Sequence, residues 1–134
     1  QFDHEKPRAY QEALRFCAWV EPIIESLPAK LAARDQLERA STSVVLNIAE
    51  GNGKRANAER CRFLDIARGP AVECAGCLGV LVVRKKLDLA KAMGGKSILM
   101  GAVSLVAGLL ARFSGTVRED QGEYCSELVE NENE

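Results

Sequence analysis

The sequence predicts an all-α protein, built as an up-and-down antiparallel bundle of four helices. Two observations lead to this class: apolar residues recur at intervals of three and four along four segments, and proline or glycine separates those segments. A chain of 134 residues, 47% of them hydrophobic, is long enough to bury one core, so we expect residues 1–118 to form one domain. The predicted helices span about 7–27, 31–50, 57–87 and 96–118.

The first helix is predicted to open at Pro7, because proline lacks the N–H group that the first helical turn leaves unpaired anyway. At a helical step of about 100° per residue, Leu14, Val20 and Ile24 fall on one broad apolar arc. That arc predicts a core face. Pro28 is expected to end the helix, because its ring cannot continue the backbone hydrogen bonds.

The second helix carries Leu37, Val44 and Ile48 on its apolar side. We expect Gly51 to stop it, because glycine readily adopts the left-handed conformation that closes a helix. A polar stripe adjoins the apolar side, at spacings of three and four; its members are Arg39, Ser43, Asn47 and Glu50. The stripe can be interpreted as a binding site or as a structural network of buried hydrogen bonds, and we favour the network, since its members can satisfy one another.

The third predicted helix starts near Asn57, a good capping residue, and should bend at Gly69 and Pro70. From Val72 to Val83 only Glu73 is charged, so the helix is apolar nearly all round there. Such a helix needs cover on more than one side, whereas one bundle core covers a single side.

The fourth predicted helix follows a break at Gly94 and Gly95 and separates its apolar residues by size. Large side chains, among them Leu109 and Phe113, lie on one arc. The small arc holds Gly101, Ser104, Ala107, Gly108, Ala111 and Gly115. Small residues let another helix approach closely, either inside the bundle or from a neighbouring subunit. Together with the apolar third helix, they predict self-association.

Charge is distributed unevenly along the chain. Residues 119–134 carry seven acids and no base, while residues 1–118 hold all 18 bases and the other 12 acids. The acidic residues have few apolar neighbours, which predicts a disordered tail.

No leader opens the sequence, and the run from Lys96 to Arg112 is too short in its apolar part to span a bilayer, so we expect a cytoplasmic protein without membrane contact.

The best candidate contact surface consists of cations around the second loop and at the far end of the third helix. They are Lys54, Arg55, Arg60, Arg62, Arg84, Lys85 and Lys86. Clusters of this kind can bind the phosphates of RNA or DNA without sequence preference. The alternative is a solvated basic face with Arg62 paired to a carboxylate such as Glu50. No exposed aromatic residue accompanies the bases, because Phe63 is expected in the core.

The cysteines predict free thiols rather than disulfides or a metal site. Five cysteines make an odd number, and Cys74 and Cys77 fall on the apolar side of the third helix, as small buried hydrophobes. Zinc needs about four ligands, and His4 is the only histidine. Because no catalytic motif is recognisable, we expect no enzymatic activity, no cofactor and no small-molecule substrate.

Three short stretches carry a family pattern. They are Gln36-Leu37 followed by Arg39-Ala40-x-x-Ser43, then Asn47-Ile48-Ala49-Glu50-Gly51, then Arg62-Phe63-Leu64-x-Ile66-Ala67-x-Gly69. The pattern resembles the four-helix-bundle proteins encoded in intervening sequences of bacterial 23S ribosomal RNA genes, a family related to accessory proteins of diversity-generating retroelements. The chain departs from it at Val45, Pro70 and Ala75, where family members commonly have proline, serine and glutamate.

The resemblance implies an up-and-down bundle that assembles into rings of five subunits and has no established enzymatic activity. For the accessory proteins it also implies a positive surface that contacts nucleic acid and a reverse transcriptase. We therefore favour a homo-oligomeric scaffold or adaptor that binds nucleic acid or a nucleoprotein partner through its basic surface. The alternative is a purely structural or protein-binding module, whose charges only keep it soluble.

Overall fold

The computed structural model describes the backbone of residues 2–120 and the side chains of residues 6–115. Within that range the protein consists of α-helices joined by short loops, with no β-strand, which confirms the predicted all-α class. The helices are α1 (Phe2–Ser26), α2 (Ala32–Gly53), α3 (Asn57–Ile66), α4 (Arg68–Val83) and α5 (Leu89–Asp120). The prediction of a disordered tail lies outside the described residues, except that the first two residues assigned to that tail belong to α5.

The beginning of α1 and the end of α2 differ from the prediction. α1 begins at Phe2, so Pro7 lies inside it and removes one backbone hydrogen bond near its beginning. α2 continues to Gly53, and Gly51 is a buried residue within the helix rather than its stop. A Cβ at Gly51 would lie 2.9 Å from Cγ of Leu64, so glycine at this position lets α3 approach α2 closely.

The third predicted helix is divided into α3 and α4 at Ala67, which is a turn residue. Pro70 is the physical cause. It has no N–H group to donate to the carbonyl of Ile66, and its ring crowds that carbonyl. The predicted bend is therefore present, as a one-residue interruption.

α4 ends at Val83, before the predicted end at residue 87. Lys85 has a left-handed backbone, with a φ of 60°. Its N–H group donates to the carbonyl of Val82 at 3.0 Å, and the N–H group of Lys86 donates to the carbonyl of Leu81 at 2.8 Å. This pair of hydrogen bonds closes the helix in the way that glycine usually permits, here with a lysine in the strained position.

α5 begins at Leu89 instead of Lys96, so Gly94 and Gly95 lie inside a helix that they were expected to break. A glycine within a helix costs only about 1 kcal/mol relative to alanine. At Gly95 there is a steric reason for it, because a Cβ would overlap with the indole ring of Trp19 on α1. The close packing of α1 on α5 thus requires this glycine.

One hydrophobic core lies between the helices. Its largest fully buried side chains are Phe16, Val20, Leu37, Ile48, Cys61, Leu64, Cys74, Leu78, Leu81, Leu109 and Leu110. Leu14, which was predicted on the core face, is exposed instead, by 42%, and Phe63, which was expected in the core, is half-buried. Ile66 is exposed by 44%. In α3 the buried side chains are those of Cys61 and Leu64. They continue the three-and-four spacing of the buried residues in α4, so Phe63 and Ile66 lie to the side of the core.

Two hydrogen bonds show which parts of α1 and α2 lie next to each other. The side-chain amide of Asn52, at the end of α2, donates to the carbonyl of Lys6, at the beginning of α1, at 2.9 Å. Midway along the same two helices, the thiol of Cys17 donates to the carbonyl of Ser41 at 3.5 Å. α5 packs against α1, α3 and α4, and α2 packs against α1, α3 and α4.

The outer face of α4 is not covered by the described part of the chain. Val72, Val80 and Val83 are exposed by 71%, 45% and 80%, and we call these three residues the valine ridge. On α5, most of the small arc is exposed as well, and Met93 and Met100 lie open at 61% and 66%. Residues 6–115 therefore do not themselves supply the cover that was predicted on a second side.

Two helical stretches, Asn57–Val83 and Leu89–Gly115, are long and apolar enough to cross a membrane when length and composition alone are judged. The run from Lys96 to Arg112, which was predicted to be too short in its apolar part to span a bilayer, lies within the second of these stretches, because its helix begins earlier, at Leu89. Core helices of soluble proteins can have the same length and composition. In the most apolar part of these two stretches, 33% and 39% of the residues are buried inside the fold.

Candidate nucleic-acid interface

The loop between α2 and α3 is fixed by Arg60. Its Nε donates to the carbonyl of Lys54 at 2.6 Å, and its Nη1 donates to Oδ1 of Asn57 at 2.9 Å. The guanidinium also lies over the ring of Phe113 on α5, 5.1 Å from the ring centroid. Arg60 was predicted as a phosphate contact, but these three interactions make it chiefly a residue that holds the loop and α5 against α3.

Two other cations of the predicted site gather around one aromatic ring. Nζ of Lys54 lies 5.1 Å from the ring centroid of Phe63, and the guanidinium carbon of Arg62 lies 5.5 Å from it. Phe63 is half-buried, so the expectation that no aromatic residue accompanies the bases is wrong. Lys54 additionally forms a salt bridge of 3.5 Å with Glu50, the carboxylate that was considered for Arg62.

The fold adds two cations that the sequence analysis missed. The hydrogen bond from Asn52 to the carbonyl of Lys6 holds the beginning of α1 beside the end of α2. The first turns of α1, which carry Lys6 and Arg8, therefore lie at the same end of α2 as the α2–α3 loop, although they are far from that loop in sequence. No sequence pattern signalled this, because the proximity depends on the packing of α1 on α2.

We call the resulting surface the loop surface. It consists of Lys6, Arg8, Lys54, Arg55, Arg60 and Arg62. The carboxylates nearest in sequence number four, fewer than the six cations: Glu5, next to Lys6; Glu50, which is bound to Lys54; Glu59, which is exposed; and Asp65, which pairs with Arg68. Cations outnumber carboxylates here, and a surface of this kind attracts polyanions.

The remaining predicted contacts, Arg84, Lys85 and Lys86, lie at the far end of α4 and do not belong to the loop surface. At a rise of about 1.5 Å per residue, the helical path from Arg62 to Arg84 is roughly 30 Å long. Arg84 instead lines an apolar groove of about 430 Å³ between α2 and α4. The single surface that the sequence suggested is thus two separate basic regions.

The polar stripe on α2 is not one buried network. Among the hydrogen bonds of the described residues, only Asn47 and Ser43 bond each other, with Nδ2 of Asn47 donating to Oγ of Ser43 at 3.1 Å and to its carbonyl at 2.9 Å. Arg39 bonds to Asp35 at 2.9 Å, and Glu50 pairs with Lys54. Both ends of the stripe are exposed and pair with charged side chains outside it instead of with Asn47 or Ser43.

The two cysteines of the C-x-x-C spacing are buried thiols. Cys74 is fully buried, and the thiol of Cys77 donates to Oε1 of Gln36 at 3.6 Å. Burial raises the pKa of Cys74 from 9.0 to about 12, with a smaller contribution from Cys77. No group of three or more potential metal-binding side chains occurs among the residues whose side chains are described. This geometry agrees with the interpretation as small buried hydrophobes.

At about pH 8, we expect iodoacetamide to modify Cys74 at least about a hundredfold more slowly in the folded than in the unfolded chain, because the thiolate is the reactive form. The unfolded thiol ionises near 9.0 and the folded one near 12. The contribution of the neutral, buried Cys74 thiol to the free energy of unfolding is therefore complete below pH 9 and is lost as the pH rises towards 12. Peptide mass spectrometry measures the modification, and equal rates in both states would contradict the buried location.

The helices and the loop surface define a small all-α protein with a basic end, assembled from α1, α2 and α3. The model of the family 23S rRNA-intervening sequence protein matches residues 5–98, which is more than half of the chain. The chain belongs to this family, as the sequence resemblance indicated. Neither curated proteins nor solved structures gave a match. The family match includes the whole loop surface and ends within α5.

Proposed function

We propose that this protein is a non-enzymatic, homo-oligomeric scaffold or adaptor that binds RNA or DNA through the loop surface. The observation that carries the proposal is the convergence of cations from α1, the α2–α3 loop and α3. Hydrogen bonds of Asn52 and Arg60 hold these elements together. Phosphate binding requires mobile or fork-shaped cations on a preformed surface, and the loop surface has both types.

The arrangement that we propose for the helices is an up-and-down antiparallel four-helix bundle, with α3 and α4 counted as one bent helix. The contact of Asn52 with Lys6 and that of Cys17 with Ser41 support opposite directions for α1 and α2. The contact of Gln36 with Cys77, taken together with the close approach of Gly51 to Leu64, supports opposite directions for α2 and the bent helix formed by α3 and α4. In such a bundle the loop surface lies at one end, where a long polyanion has free access.

Self-association is the second part of the proposal. The valine ridge exposes apolar area that a soluble monomer would keep from water, and the small arc of α5 offers a surface for close helix packing. The resemblance adds the stoichiometry, a ring of five subunits. Because a ring repeats the loop surface on every subunit, several weak phosphate contacts would act together on one nucleic acid.

The proposed partner is based on the family resemblance, and the proposed cellular compartment is based on the exposed charges of the protein. A kinship with the accessory proteins of diversity-generating retroelements would make a reverse transcriptase, bound to its nucleic acid, a candidate nucleoprotein partner. A cytoplasmic location fits a protein whose α1 and α2 carry exposed charges along their outer faces. Neither premise requires a cofactor or a metal ion.

A salt titration tests the nucleic-acid part. Each phosphate contact with a single strand contributes about −0.7 to the slope of log affinity against log salt, so about four contacts predict a slope near −3. Reversal of two charges in Arg55→Glu/Arg62→Glu should lower the affinity for oligouridylate RNA at least about tenfold and reduce the slope by about 1.4. Fluorescence anisotropy measures both quantities.

The matched control reverses two cations of the other basic region, Lys85→Glu/Lys86→Glu. It changes the net charge equally, and we expect less than about a twofold effect on affinity. Absence of RNA and DNA binding at low salt would overturn the nucleic-acid part. Equal losses in both double variants would overturn the assignment to the loop surface.

A purely structural or protein-binding module is the second candidate, and the apolar groove between α2 and α4 favours it. The groove is lined mainly by apolar side chains such as Leu31, Val80 and Leu81, with Glu73 and Arg84 as its charged residues. A protein that assembles normally but binds no nucleic acid at any salt concentration would have this function.

A further inference from the structure

We infer that the acidic segment 119–134 docks on the loop surface of its own chain and competes there with nucleic-acid phosphates. The competition rests on the proposed function, whereas the docking is an independent statement about the free protein. The inference combines three observations: where α5 ends, how far the segment can reach, and how the charges of the two parts match.

The end of α5 lies close to the loop surface. The ring of Phe113 contacts the guanidinium of Arg60, and Arg60 in turn bonds to the carbonyl of Lys54. From Phe113, α5 continues to Asp120, a distance of about 10 Å at 1.5 Å per residue. The acidic segment therefore starts within about two helical turns of a residue that fixes the loop.

The reach of the segment exceeds what docking requires. Residues 121–134 span up to about 45 Å when fully extended, several times the distance from the end of α5 back to the loop surface. A short tether also gives its two ends an effective concentration in the millimolar range. Contacts that would be too weak between separate molecules are therefore sufficient within one chain.

The charges of the two parts are complementary. The segment carries seven acids and no base, and it is the most acidic part of the chain. The loop surface presents arginines, whose guanidinium groups match carboxylates in a bidentate manner, together with lysines. The other basic region, at Arg84, Lys85 and Lys86, lies roughly 30 Å along the helices from the loop surface, so the segment meets the loop surface first.

Docking of this kind is reversible, because it depends on ion pairs that are exposed to water. Exposed ion pairs are individually weak and are screened by salt, so the segment holds the loop surface only through several contacts at once. A nucleic acid has a denser row of negative charges and gains affinity from released counterions, so it displaces the segment. The segment thereby selects long or dense polyanions over small anions.

Carbodiimide cross-linking tests the docking directly, because it joins carboxylates to lysines only when they touch. We expect cross-links from segment 119–134 to Lys6 or Lys54 in the free full-length protein at low salt, and their loss at high salt. Lys85 and Lys86 are internal controls that should stay unlinked to the segment. Cross-links that are absent, or equally frequent at Lys85 and Lys86, would overturn the docking.

A mixture of isotopically light and heavy protein assigns the cross-links to one chain. Cross-linked peptide pairs should carry a single label, because the segment lies next to its own loop surface. Pairs of mixed label would show that the segment reaches a neighbouring copy instead, which overturns the inference as stated.

Charge neutralisation tests the competition. The full-length variant with glutamine at four segment positions, Glu127, Glu130, Glu132 and Glu134, should bind oligouridylate RNA about tenfold more tightly than the unmodified protein at low salt. The matched control replaces four exposed glutamates of the body, Glu21, Glu25, Glu38 and Glu73, with glutamine. It changes the net charge equally, and we expect less than about a twofold gain.

The outcomes separate the two proposals. Equal gains in both variants would mean that only net charge matters, which overturns the competition. Cross-links to Lys54 combined with no RNA or DNA binding by any variant would overturn the proposed function and leave the docking standing. Tight RNA binding without cross-links would overturn the docking and leave the proposed function standing.

Discussion

Replacement of Gly95 with alanine is expected to lower the free energy of unfolding by about 1 to 3 kcal/mol. The added Cβ would overlap with ring carbons of Trp19, whose indole stacks on the ring of Phe16 at a centroid distance of 5.7 Å. The ring cannot move away freely, because Phe16 is a fully buried core residue. Urea unfolding followed by circular dichroism measures the change.

Gly94→Ala is the matched control for this prediction. A Cβ at Gly94 meets nothing within 4 Å, so the substitution should raise the free energy of unfolding by up to about 1 kcal/mol through a better helix propensity. A smaller side chain at the partner position, in Gly95→Ala/Trp19→Leu, should cost less than the sum of the two single substitutions. Equal effects at Gly94 and Gly95 would contradict the close approach of α1 and α5.

Glutamate at two positions of the valine ridge, in Val72→Glu/Val83→Glu, is expected to dissociate the oligomer. Burial of one valine contributes about 1.5 to 3 kcal/mol, and an unpaired carboxylate in an interface adds a further penalty. The dissociation constant should therefore rise at least about a hundredfold. Sedimentation velocity measures the mass distribution, and the loop surface should still bind RNA, although less tightly in the absence of neighbouring subunits.

The control for the ridge is Leu46→Glu, which places the same charge on an exposed apolar residue of α2, 58% accessible and outside the ridge. It should leave the mass of the assembly unchanged. Because Val72 and Val83 are largely exposed in the single chain, the double variant should keep its free energy of unfolding within about 0.5 kcal/mol when compared at equal assembly state. A wild-type protein that sediments as a monomer at high concentration would overturn the self-association proposal.

The loop surface illustrates how far the sequence leads towards the site. Lys54 and Arg55 are adjacent and Arg62 follows in the next helix, so their closeness along the chain identified them as a group. Lys6 and Arg8 could not be found in this way, since the packing of α1 on α2, with the hydrogen bond from Asn52 to Lys6, brings the start of α1 towards the loop. For the same reason, the sequence analysis wrongly grouped Arg84, Lys85 and Lys86 with the loop cations. These three residues lie at the far end of α4, away from the loop surface.

Several helix ends show a related limitation. The sequence contains a proline or a glycine at almost every break, but it does not reveal which of these residues breaks a helix. Gly51 and Gly95 lie within helices because Leu64 and Trp19 need the space of the missing side chain. Conversely, α4 ends at Val83, two residues before Lys85 takes up a left-handed conformation, and the sequence has no glycine there as a signal.

By itself the sequence determined the all-α class, the core faces of most helices, the burial of Cys74 and Cys77, and the family. These properties depend on the periodicity and composition of single segments, and side chains three and four residues apart share a face in any helix. Only the tertiary structure decided which cations form the loop surface, which glycines are spacers and which valines stay uncovered. Each of these depends on a neighbouring helix, and the distance to that neighbour is set by packing that no single segment encodes.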